Sequence, residues 1–126
     1  MQDVARTKKP SVINMSLGGE IDEALDDLSN ELVDAGVYVV AAAGNEKMDA
    51  CEVSPARARG VFTVGATDLR DGRASFSNYG ECVDIWAPGV MIASASHKGG
   101  FTFLQGTSMA APHVAGTSSR LVFIRV

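Results

Sequence analysis

The sequence predicts an α/β fold built on a mostly parallel sheet, and three observations in its first third carry that prediction. Residues 37–43 (Val-Tyr-Val-Val-Ala-Ala-Ala) are a nearly unbroken apolar run, as suits a parallel strand covered on both faces. Before it, Ile21, Ala24, Leu25, Leu28, Leu32 and Val33 recur at helical spacing. Residues 12–17 (Val-Ile-Asn-Met-Ser-Leu) read as an earlier strand, closed by Gly18 and Gly19. Strand, helix and strand make one βαβ unit, for which a right-handed crossover is expected.

The remaining elements follow in order. Residues 1–9 look like the end of a helix that Pro10 closes. The helix after Gly19 has Glu20, Asp22 and Glu23 in its first turn and Gly36 as its stop. After Gly44 and Asn45 comes a polar loop to Pro55, a strand over 61–66, a turn over 68–72 and a strand over 83–87 ended by Pro88 and Gly89. Residues 91–95 and 101–105 flank Lys98, Gly99 and Gly100 as a hairpin. A helix rich in small residues opens near Ser108. With neither a repeat nor a linker, one domain is expected.

Composition excludes several functions. The 126 residues, 46% hydrophobic and 21% charged, suit one globular domain or part of one. A net charge of −4 without clustered Lys and Arg argues against a nucleic-acid partner. The short patch Arg6, Lys8, Lys9 reads as a solvated helix end. No apolar run approaches the ~20 residues of a membrane span, and the first residues lack the apolar core of a signal peptide.

The chemistry centres on residues 106–116, Gly-Thr-Ser-Met-Ala-Ala-Pro-His-Val-Ala-Gly. A serine at a helix start lies among unpaired backbone N–H groups and the positive end of the macrodipole, which would stabilise an oxyanion formed beside it. Taken alone, such a serine is either an ordinary cap or a nucleophile. The nucleophile elbow of α/β-hydrolases needs a second glycine where Ala110 stands. Pro112 fits a helix opened by Ser108, because the amide it lacks would have bonded the carbonyl of Ser108, so the lost bond falls in the first turn, where its cost is smallest. Two loops, 16–19 and 42–45, lie at the C-terminal ends of parallel strands, where open α/β sheets place their sites; alone, each also reads as a plain turn.

At every position, residues 106–116 resemble the active-serine segment of the subtilases, the subtilisin and proteinase K family of serine endopeptidases. The likeness runs from about Pro10 to Gly116 and includes 74–80 (Ala-Ser-Phe-Ser-Asn-Tyr-Gly) and 87–89 (Ala-Pro-Gly), nearest to the proteinase K branch. It implies a subtilisin-like three-layer fold, here an incomplete peptidase S8 domain over 1–126 without its N-terminal half. Ser108 would attack the scissile carbonyl, and its own N–H with the side-chain amide of Asn45 would hold the oxyanion. Ser16, Leu17 and Gly18 would pair with an extended peptide or protein substrate, and Ala42, Ala43 and Gly44 would line the pocket for the residue before the cut. Their small walls would admit a broad range of apolar side chains.

The resemblance also implies a structural calcium ion on the carboxylate of Asp84 and the carbonyls of Arg59 and Val61, all-oxygen ligation that suits a hard cation. Cys51 and Cys82 stand where some proteinase K relatives have a disulfide; two buried free thiols are the alternative. By family, the protein would be extracellular.

Two departures matter. The Asp-Thr-Gly and His-Gly-Thr-His segments that carry the family's other triad members are absent from residues 1–126. His113 falls too far around the helix to face Ser108, and is expected to be packed and hydrogen-bonded; His97 belongs to an exposed loop. Residues 117–126 lead into β-branched and aromatic positions that fit a helix poorly, read as the mark of a truncated or misread gene. Two functions follow as expectations. One is a serine endopeptidase of which this chain is an inactive fragment; the other is a non-catalytic peptide-binding or degenerate pseudoprotease fragment.

Overall fold

The computed structural model describes residues 9–124, so the helix expected over 1–9 lies, but for its last residue, outside the described residues. Four parallel strands stand in the order β1 (Val12–Met15), β2 (Tyr38–Ala42), β3 (Phe62–Thr67) and β4 (Ile85–Pro88). Helix α1 (Glu23–Asp34) joins β1 to β2, and the long helix α2 (Thr107–Ile124) is the last of the described elements. Between β4 and α2, β5 (Ile92–Ala95) and β6 (Phe101–Leu104) pair antiparallel as a separate hairpin, its turn made by Gly99 and Gly100 at positive φ.

The sheet is covered on both faces, giving three layers. On one side Ala110, Ala111 and Ala115 of α2 pack fully buried or nearly so against Val40, Ala42, Val64, Ala66 and Ala87; their small side chains bring the helix backbone close to the sheet. On the other, Leu32 of α1 joins Met15, Val37, Val39, Ala41 and Val61. The unbroken apolar run of β2 is thus explained: alternate residues face opposite helices.

Helix α1 begins later than its apolar spacing suggests. Asp22 is its N-cap, accepting the N–H groups of Ala24 and Leu25 at 3.0 and 3.1 Å, which leaves Ile21 outside the helix and exposed. Its end is a Schellman motif, with Val37 N–H on the Leu32 carbonyl, Gly36 N–H on that of Val33, and Gly36 at φ +86°. The buried stripe also admits polar groups that periodicity does not reveal: Ser29 bonds back to the Leu25 carbonyl, and Asp26 meets Arg57 Nε at 3.2 Å.

The expectation that residues 117–126 break the helix is not met, since α2 continues through Ile124. β-Branched residues lower helix propensity by only fractions of a kcal/mol each, too little to stop a helix already nucleated and packed. Cys51 and Cys82 form a disulfide with Cα atoms 5.3 Å apart, closing a 31-residue separation that contributes about 3–4 kcal/mol on the chain-entropy model.

Candidate active site

Gly106, at φ +146°, turns the chain into α2, so that Thr107 and Ser108 occupy the first turn. Thr107 is fully buried and does two things. Its N–H and its hydroxyl both donate to Asn45 Oδ1, at 2.8 and 3.0 Å, while its hydroxyl oxygen accepts the N–H of Gly44 at 3.1 Å. With Oδ1 so held, the orientation of the Asn45 amide is fixed and its NH₂ is the group left to donate outward.

Ser108 and the end of β1 are joined reciprocally. Ser108 Oγ donates to the Ser16 carbonyl at 3.1 Å, and Ser16 Oγ donates to the Ser108 carbonyl at 2.7 Å. That carbonyl is available because Pro112, four residues on, has no amide to bond it. Asn14 Nδ2 in turn donates to Ser16 Oγ at 2.9 Å. Beyond Met15 the chain leaves the sheet, and residues 16–18 are exposed.

The loop after β2 depends on Asn78, which is fully buried. Its Nδ2 donates to the Ala43 carbonyl and to Glu46 Oε2, and its Oδ1 accepts the N–H groups of Glu46 and Met48. Glu46 Oε2 also accepts the Asn45 N–H at 2.8 Å. Gly44 sits at φ +102°, and a Cβ there would collide with the Asn78 amide and lie 2.5 Å from Glu46 Oε2, so only glycine fits.

These pieces enclose a cavity of about 230 Å³ whose lining includes Ser16, Leu17, Gly18, Ala42, Gly44, Asn45 and Ser108. Ala43 is the exception among the expected pocket residues. It faces the other way, fully buried with Ala50, Val53 and Ala56, because successive residues at the end of a strand point to opposite sides.

The subtilase family model matches residues 1–122. The chain belongs to the subtilase family. It is 51% identical over 115 residues to the alkaline serine exoprotease A of Vibrio alginolyticus, covering 91% of this chain and 22% of that protein. It is 53% identical over 113 residues to the extracellular serine proteinase of a Thermus species, covering 88% of this chain and 28% of that one. It thus spans about a quarter of the length of these curated relatives. The crystal structure of a cold-adapted subtilisin-like serine proteinase superposes with a TM-score of 0.91 at 49% identity, over 94% of this chain and 44% of that one.

Within this subtilase chain the hydrogen bond of the Ser108 hydroxyl goes to the Ser16 carbonyl and not to a histidine. His113 Nδ1 lies 2.8 Å from the Met109 carbonyl, one turn back along α2. It is exposed rather than packed, on a groove of about 420 Å³ between the hairpin and α2 that also reaches Ser108. His97 is exposed in the hairpin turn. At the far end of β3, Asp84 Oδ2 accepts the Thr63 N–H at 2.7 Å, and the Arg59 side chain pairs with Asp34 at 3.3 Å. Among the described residues no group of three or more His, Cys, Asp or Glu is placed to hold a metal, so any ion there would rely on main-chain oxygens.

Sequence reasoning missed Thr107, Asn78 and Glu46 as parts of the site. Thr107 was legible only as a helix-start residue. Asn78 lay inside a family-like run with nothing to tie it to a loop more than thirty residues earlier.

Proposed function

We propose that this chain is the nucleophile-bearing and oxyanion-bearing part of a subtilisin-like serine endopeptidase domain that hydrolyses peptide bonds outside the cell. The observation that carries the reading is the pairing of Ser108, in the first turn of α2, with an Asn45 amide whose oxygen is already engaged by Thr107. In this reading the substrate lies extended along residues 16–18 and fills the cavity beside Ser108 with the side chain that precedes the cut. Ser108 Oγ attacks the carbonyl carbon while its proton passes to a histidine, oriented by an aspartate, both supplied from outside residues 1–126. The oxyanion is held by Asn45 Nδ2 and by the Ser108 N–H, a first-turn amide that helix geometry leaves without an intrahelical partner. The histidine then gives that proton to the amine nitrogen as the C–N bond breaks and the amine departs, and water, attacking in the same way, releases the acid product from the acyl-enzyme. An extracellular setting accords with the disulfide and with the relative named as an extracellular proteinase.

A non-catalytic, peptide-binding reading has one observation in its favour: the Ser108 hydroxyl is bonded to a carbonyl, not to a base. The two separate on the intact mass of the natural protein that yields the peptide 106–116, together with its activity on a peptide anilide. A mass about twice 13.2 kDa with hydrolysis supports the endopeptidase. A mass near 13.2 kDa, with peptide bound and none cut, supports the binding module and overturns catalysis.

Calcium belongs to the same proposal. Asp84 with the carbonyls of Arg59 and Val61 makes an all-oxygen set, and Thr63 N–H fixes the carboxylate. Chelation is expected to lower the melting temperature of the gene product, calcium to restore it, and Asp84→Asn to remove the calcium-dependent part. An Asp84→Asn protein with an unchanged response to calcium would rule these ligands out.

A further inference from the structure

Strand β1 carries a polar residue on an apolar face. Ile13 and Met15 pack on the side of α1 and Val12 on the side of α2, so by alternation Asn14 lies on the α2 side. It stands level with Val40 of β2, which is fully buried on that face. Asn14 Nδ2 donates to Ser16 Oγ at 2.9 Å, and Ser16 Oγ donates to the Ser108 carbonyl at 2.7 Å. Chemistry fixes the direction of this chain. A carbonyl can only accept, so the one proton of Ser16 goes to Ser108, and the bond between Asn14 and Ser16 must come from the Asn14 NH₂. Asn14 thereby aims the Ser16 hydroxyl at Ser108.

The target is a gap in the helix. In an unbroken helix the Ser108 carbonyl would accept the amide of residue 112, and Pro112 has none. Ser16 supplies the missing donor and so ties the backbone of Ser108 to β1. The second link, from Ser108 Oγ to the Ser16 carbonyl at 3.1 Å, is of another kind. It must break when the hydroxyl passes its proton to a base and turns to the scissile carbon. The bond to the Ser108 carbonyl need not break, and it holds the backbone still while the side chain changes partners.

We propose that Asn14 is a positioning residue for catalysis: through Ser16 Oγ it anchors the backbone of Ser108 while Ser108 Oγ leaves the Ser16 carbonyl to react. The proposal rests on the endopeptidase reading. It gives the Ser16 side chain a task separate from main-chain pairing with substrate, and gives one to Asn14 that needs no contact with substrate. These bonds lie at the surface, so their contribution to stability is small and their effect falls on rate.

The test is a mutant cycle in the natural gene product, read as kcat and KM on a peptide anilide, as the rate of labelling by a small fluorophosphonate, and as melting temperature. Ser16→Ala removes the donor and is expected to lower kcat about tenfold with KM nearly unchanged, because main-chain pairing with substrate remains. Ser16→Thr, which keeps the hydroxyl, should retain most of the activity. Asn14→Asp cannot donate, and its carboxylate takes the Ser16 proton for itself, so it is expected to match Ser16→Ala. Asn14→Ala leaves the hydroxyl free to turn and should cost less, about threefold. The labelling rate should follow kcat, since a small probe does not use residues 16–18. With Ser16→Ala in place, Asn14→Asp should have no further effect.

A merely structural Asn14 would lower the melting temperature, act alike in both backgrounds and leave the rate per folded molecule, counted by burst titration, where it was. Unchanged kcat in Asn14→Asp, or an equal loss in the Ser16→Ala background, overturns the proposal. Should Asn14→Asp fail to fold, Asn14→Ala takes its place in the cycle with the same criteria; loss of folding in both makes Asn14 structural and overturns it too. If the parent protein cuts no anilide and takes no label, the endopeptidase reading falls, and NMR decides the anchor through the Met109 amide nitrogen, which shares its peptide with the Ser108 carbonyl. A resonance shifted alike by Ser16→Ala and Asn14→Asp upholds the anchor, and one unmoved by Asn14→Asp overturns it.

Discussion

Ser108→Ala is expected to abolish peptide-anilide hydrolysis by the natural gene product, a loss of about 10⁶ in kcat, the size known for removal of the nucleophile from a subtilisin, a member of this family. The side chain has one structural contact to lose, its 3.1 Å bond to the Ser16 carbonyl, and the residue is only half-buried. A bond of that kind contributes about 1 kcal/mol, so the variant should fold and its melting temperature should move little. What disappears is the covalent step. Without Oγ no acyl-enzyme forms, and only the residual benefit of oxyanion stabilisation and binding survives. The same logic covers the purified 126-residue chain if, as proposed, the base of Ser108 comes from outside it. It should cut no anilide and react negligibly with a fluorophosphonate probe. Efficient hydrolysis by that chain, lost on Ser108→Ala, would show that a base exists within it after all. Hydrolysis that survives Ser108→Ala would move the nucleophile elsewhere.

Asn45→Ala is expected to lower kcat about 10²–10³-fold with KM nearly unchanged, a magnitude borrowed from deletion of this donor in a subtilisin. The split follows from when the donor acts: charge on the carbonyl oxygen develops in the transition state, so the ground-state complex loses little. Asn45→Asp separates donation from placement. Aspartate keeps an oxygen for the Thr107 N–H and hydroxyl, yet puts a negative oxygen where the NH₂ donated. It should be at least as damaging as alanine. An Asn45→Asp enzyme with near-parental turnover would mean that Asn45 serves only to hold Thr107 and that the oxyanion lies elsewhere.

Much of this was readable from the residues. The apolar run of β2, the spacing of Leu25, Leu28 and Leu32, and Gly36 as a stop gave the βαβ unit, because burial on two faces and a helix end at positive φ leave local marks. The hairpin announced itself through Gly99 and Gly100 in the same way. The failures were tertiary. Ile21 has the spacing of a core residue but lies before the cap that Asp22 makes. The periodicity of α1 gave no sign that Asp26 is buried against Arg57. The last turns of α2 carry residues of poor propensity, and packing of its earlier turns outweighs that preference.

For the site, local sequence determined the parts: a serine at a helix start, an asparagine after a strand, a strand end of small residues, and Pro112, whose missing amide leaves the Ser108 carbonyl for Ser16. Only the tertiary structure decided how they work together. Thr107 reaches Asn45 across more than sixty residues, Asn78 locks the loop from another part of the chain, and the bridge from Gly19 to Ser54 ties the end of the first strand to the loop before β3. The reason is physical. Propensity, capping and turn chemistry act over a few residues and are written in neighbours, whereas hydrogen bonds and charges converging on one atom depend on where the sheet carries each strand end.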